Sequence, residues 1–82
     1  MKLQKINHEY FDTMYEASFK GLNKDWKFVE TRITAILDNN CVRFTVIENG
    51  KAIRKRYFKN NQKEKCLVEA NKVLEKLINL NK

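Results

Sequence analysis

Seven cations, Lys51, Arg54, Lys55, Arg56, Lys59, Lys63 and Lys65, stand against the single acid Glu64 within residues 51–65. Side chains of this type at this density hold anions. Lysine does so as a point charge, arginine through a flat, forked donor set that suits phosphate oxygens and guanine edges. The rest of the chain does not share the excess. Of the formal net charge of +7, residues 51–65 supply +6, whereas residues 1–50 carry seven basic and seven acidic side chains. Charge concentrated in this way points to a surface rather than to a general solubility device. The plainer readings are a solvated surface, or charge that keeps an edge strand from pairing.

Other chemistry finds little footing. His8 is the only histidine and stands near the start of the chain, with no oriented partner in the pattern. Ser18 lacks a triad context. Cys41 and Cys66 are too few and too far apart for a disulfide scaffold, and with one histidine they cannot complete a zinc site. Cys66 falls on an apolar helical stripe and reads as core; Cys41 reads as a small strand residue. Gly50-Lys51 is not a phosphate loop, because the surrounding glycines are missing. No cofactor, metal or enzymatic activity is therefore expected.

The frame that must position these cations is small. Eighty-two residues with 43% apolar and 33% charged side chains make one domain with no room for a second core. No apolar run exceeds three residues, so no membrane span is expected, and the N-terminus turns polar at Lys2. Cysteine usage fits a reduced, cytoplasmic protein. Abundant Lys and Asn with no Pro suggest an AT-rich genome, that of a low-GC bacterium or its phage.

Tyr10, Phe11, Met14, Tyr15 and Phe19 fall at helical spacing and predict a helix over about 7–20. Asn7 would cap it, Glu9 and Asp12 would favour its positive end, and Gly21 would stop it. The period then changes to two. Strands are expected over about 28–37, 41–48 and 51–58, joined by turns at Asn39-Asn40 and Asn49-Gly50. Asn61 with Glu64 resembles a capping box at the head of a second helix over about 61–80. The expected fold is α+β, in the order α-β-β-β-α. It would be a three-stranded antiparallel meander with both helices packed on one face.

A two-residue Asn49-Gly50 turn sets a register. Val46 would oppose Ile53, Phe44 would oppose Lys55, and Val42 would oppose Tyr57 on the core face. Lys55 is the awkward member, snorkelling from an edge or marking a bulge. The outer face would carry Arg32, Arg43, Arg54 and Arg56 around Thr34 and Thr45, with Arg43 directly facing Arg56. Like charges so placed cost up to ~1 kcal/mol unless an anion lies between them. Lys63 and Lys65 would sit in the first helical turn, where the dipole also disfavours cations. Phe58 would point outward, and Trp26 would pack as a lid over the first helix.

The run from Asn49 to Phe58, followed by Lys59 to Ala70, resembles a known pattern. A Gly-Lys turn leads into a basic strand ending in an aromatic, and then into a helix. It is similar to the arm-site-binding N-terminal domains of phage and transposon tyrosine integrases, and to plant ethylene-response-factor domains. Those lay a three-stranded sheet in the DNA major groove. The resemblance implicates Arg43, Arg54 and Arg56 as sheet-face contacts, with Asn49, Gly50 and Lys51 at the hairpin tip. The element order also resembles the double-stranded-RNA-binding domain.

The expectation is a small nucleic-acid-binding module, with double-stranded DNA ahead of RNA. Its surface would be Arg32, Arg43, Thr45, Lys51, Arg54, Lys55, Arg56, Lys59, Lys63 and Lys65. The alternative is a phage-type accessory protein that binds an acidic host protein. The chain would be a monomer or a weak homodimer.

Overall fold

The computed structural model describes residues 1–11 and 13–81. Among them, five strands and one α-helix are formed: β1 (Gln4–Ile6), β2 (Met14–Leu22), β3 (Phe28–Asp38), β4 (Cys41–Glu48), β5 (Lys51–Phe58) and α1 (Lys63–Asn79). The strands form one antiparallel sheet in the order β1-β2-β3-β4-β5. The helix lies on one face of it, chiefly over β3 and β4.

The expected α-β-β-β-α order is thus corrected. From Met14 onward the segment read as a first helix is strand, residues 7–11 are irregular, and the sheet has five strands rather than three. The helical spacing of Tyr10 to Phe19 concealed a period of two: Tyr15, Ala17 and Phe19 pack against the core, while Glu16, Ser18 and Lys20 face away. Long-range pairing decides the matter. β3 is eleven residues long with Ile33, Ala35 and Leu37 fully in the core, and without β2 its outer edge would lack a ladder. Gly21 does not stop a helix. It is paired with Val29, and the chain passes so near the end of α1 that an added Cβ would stand 2.7 Å from Asn81 Oδ1. Asp12, expected at the head of that helix, lies outside the described residues, as does Lys82.

The core is built from two alternating rows and a helix stripe. Ile33, Ala35 and Leu37 of β3 oppose Val46, Phe44 and Val42 of β4, and Cys66, Ala70 and Leu74 of α1 close over them. Phe44 is fully buried, and its side chain alone contributes roughly 1.5–3 kcal/mol of transfer free energy. Two asparagines tie the helix to the far strands. The Leu3 N–H donates to Asn71 Oδ1 (2.8 Å). The Asn81 side chain accepts from the Leu22 N–H (2.7 Å) and donates to the Leu22 and Leu77 carbonyls.

A 3₁₀ turn, Asn60–Gln62, leads into α1. The capping box expected at Asn61 and Glu64 is replaced by a bond two residues earlier, in which the Lys59 N–H donates to Gln62 Oε1 (3.0 Å). Among the described residues, no helix or strand covers the other face of the sheet. There the middle residues Thr34, Ile36 and Thr45 are buried by the side chains around them.

Candidate anion-binding cleft

The placement of the cations turns on one residue. Asn49 (φ +50°) and Gly50 (φ +83°) take the left-handed conformations their turn needs, and Glu48 faces Lys51 and Ile47 faces Ala52 across it. Ile53 is then a β-bulge with no partner, so the next pair is Val46 with Arg54. One extra residue inverts every side chain beyond it. Phe44 opposes Arg56, Thr45 opposes Lys55, Arg43 opposes Tyr57, and Val42 opposes Phe58.

Several expectations are corrected by this inversion. Arg54 and Arg56 lie on the helix side, their guanidinium carbons 5.5 Å from the Phe44 ring centroid and 4.9 Å from that of Phe58. Phe58 packs inward against Phe44, with centroids 6.0 Å apart, rather than outward. Lys55 and Tyr57 take the open face. The Arg43–Arg56 opposition does not exist: Arg43 lies 5.9 Å from the Tyr57 ring centroid, with its Nε buried and without a hydrogen-bond partner.

The ten expected binding residues therefore divide among three places. Arg32, Arg43, Thr45 and Lys55 belong to the open sheet face, where Arg32 Nε is paired with Glu16 Oε1 at 3.1 Å. Lys51, Lys59, Lys63 and Lys65 occupy the turn and the helix start; Lys63 Nζ donates to Asn39 Oδ1 (2.8 Å). Arg54 and Arg56 line a cleft of about 450 Å³ between β5 and α1. Sequence reasoning missed their companions there.

Lys24, from the loop between β2 and β3, and Lys72 and Lys76 of α1 complete the cationic lining. The floor is Val73, Leu77 and Leu80. Glu69 is the one acid and is paired with Arg56. Lys72 and Lys76 share a helix face with Glu69 at spacings of three and four, a pattern legible in the sequence. Nothing local marks Lys24. Among the described residues, Arg54, Lys24, Lys72 and Lys76 have no carboxylate within 4.0 Å. Four uncompensated cations around a partly apolar hollow repel one another, and a bound anion relieves that repulsion.

Cys66 lies beneath this cleft wall, fully buried. Burial, and then the Glu69 carboxylate, push its thiol up from 9.0 to about 11, against the opposing pull of Arg56. Such a thiol stays protonated and is a poor nucleophile at neutral pH. Among the described residues, no three of His, Cys, Asp and Glu gather as a metal site, and no helix is long and apolar enough to cross a membrane. The chain matches no protein-family model, no curated protein and no solved structure, so its site is read from its own geometry.

Proposed function

We propose that the protein is a binding module for nucleic acid, not an enzyme, and that it holds the phosphate backbone in the cleft between β5 and α1. One observation carries this reading: five cations with a single ion pair line a hollow whose floor is apolar. Phosphates meet the rim, and the floor accommodates the sugars and bases between them. Lys51 stands at one end of β5, and Lys59 and Lys65 stand past its other end, so positive charge flanks the strand that walls the cleft. Cytoplasmic residence and a bacterial or phage source agree with this reading and belong to it as proposals.

The test is binding of fluorescein-labelled oligonucleotides followed by anisotropy across a salt series, with single-stranded DNA, duplex DNA and duplex RNA as separate arms. With about four phosphate contacts, log affinity falls with log salt at a slope of about −3 for a single strand. Absence of binding in every arm at low salt overturns the proposal.

A specific observation favours a second reading. β5 is an edge strand of eight residues with one side of its ladder unpaired, which suits strand addition by an acidic protein segment. Capture of one acidic protein that persists after nuclease treatment, together with failure to bind any oligonucleotide, selects it.

A further inference from the structure

The loop between β2 and β3 is built more firmly than its length requires. Asn23 is buried, and its Oδ1 accepts from the Asp25 N–H (2.9 Å) and the Lys27 N–H (3.0 Å). Its Nδ2 donates to Glu48 Oε1 (3.2 Å). The Asn23 N–H donates to the Lys27 carbonyl and the Trp26 N–H to the Asn23 carbonyl, at 2.9 and 3.0 Å. This rigid frame holds an exposed run, Lys24 to Phe28, with one aromatic side chain at its centre. Trp26 is 67% exposed, and its backbone is held at φ +61°, a conformation that glycine or asparagine takes more easily.

Neither packing nor backbone accounts for a tryptophan here. The expectation of a lid over a first helix is overturned, because that helix does not exist and the indole covers nothing in the core. A bulky residue held in the left-handed region, on a loop fixed by a buried side chain, is the pattern of a binding site rather than of a connector. Its surroundings define the occupant. Lys24 and Lys27 flank it with Asp25 between, and Lys24 also lines the cleft alongside Arg54, Lys72 and Lys76. A flat apolar ring two residues along the loop from a cleft cation fits an unpaired base whose phosphates lie in that cleft.

Resting on the nucleic-acid reading, we propose that Trp26 stacks on an unpaired base of a single strand bound in the β5–α1 cleft. The protein therefore favours single-stranded over duplex nucleic acid. Trp26 is the chain's only tryptophan, so its intrinsic fluorescence reports on this contact alone.

The experiment titrates the protein with oligothymidylate, a duplex of equal length and inorganic polyphosphate, reading tryptophan fluorescence. Affinity is measured in parallel, from labelled-strand anisotropy for the nucleic acids and from competition for polyphosphate. Oligothymidylate is expected to quench Trp26, and polyphosphate to compete for the cleft without quenching. Trp26→Gly is expected to lose about ten-fold in affinity for the single strand. It should melt no lower than the parent, because glycine accepts the positive φ freely. Trp26→Phe should keep most of the affinity.

Strand binding without quenching, and with Trp26→Gly unimpaired, overturns the stacking proposal while leaving the cleft reading intact. Equal quenching by duplex or by polyphosphate overturns it too. Absence of binding to any polyanion overturns the cleft reading itself.

Discussion

Val46 faces Arg54 across the β4–β5 ladder, and Ile53 alone separates that pair from Ile47 with Ala52. An edge strand tolerates such a bulge because its outer side has no ladder to disturb. The bulge carries Arg54 and Arg56 over the aromatic rings of Phe44 and Phe58, where they form one wall of the cleft.

Deleting Ile53 should remove the bulge and leave Arg54 opposite Val46 in a regular ladder. The variant is expected to keep its oligonucleotide affinity to within about three-fold and to melt at or above the parent temperature. Anisotropy and thermal melting check this. A variant that loses the cleft's affinity while still folded would show that the bulge shapes the site as well as setting the register.

Glu69→Gln takes the one negative charge out of the cleft. The Arg56–Glu69 pair is half exposed, so its loss should cost no more than about 1 kcal/mol of stability. Affinity for a single strand should rise at low salt, and the gain should shrink as salt is added. Arg54→Ala with Lys76→Ala should do the reverse and make the salt slope shallower by about 1.4. A slope unchanged by the double variant would place the phosphates elsewhere.

Gly21→Ala tests the close approach of β2 to the helix end. The new methyl would displace the Asn81 amide and break its bonds with Leu22, at an expected cost of about 1–2 kcal/mol. In an Asn81→Ala background the same change should cost much less, because the space is free. A double-mutant cycle in urea measures that coupling. Additive costs would mean that the two residues do not meet.

The buried Cys66 thiol gives a pH dependence of definite sign. Its pKa is higher in the folded state, about 11 against 9.0, so the folded protein holds the proton that the unfolded chain releases. Its contribution is fully present below pH 9 and is lost as pH rises through about 11. Urea unfolding at pH 8 and pH 10 should show a smaller decline for Cys66→Ala than for the parent, whatever the variant's absolute stability. A thiol reagent at pH 8 should label Cys41, which is partly exposed, well before Cys66.

Local chemistry made part of this architecture readable. The turns at Asn39-Asn40 and Asn49-Gly50 announce themselves, and the alternation of Val42, Phe44 and Val46 determines which face of β4 is core. β2 was unreadable because its aromatics satisfy two periods at once, and only its pairing with β3 chooses between them. The cleft was half legible. Its cations on β5 and α1 are evident as charges, yet the bulge at Ile53 left a single trace, the implausible burial of Lys55 opposite Phe44. The exposed Trp26 left none, since large aromatic residues are ordinarily read as core.

The charges along β5 have a second effect, on how any loss of binding is to be interpreted. Eight residues of open ladder would pair readily with the same strand of another molecule, were Arg54, Lys55 and Arg56 not brought against their own copies. Substituting them with neutral side chains removes a phosphate contact and a barrier to self-association in one step. A weakened titration curve from such a variant then has two origins that look alike in anisotropy. Sedimentation at the assay concentration separates them, since only self-association changes the mass of the unliganded protein.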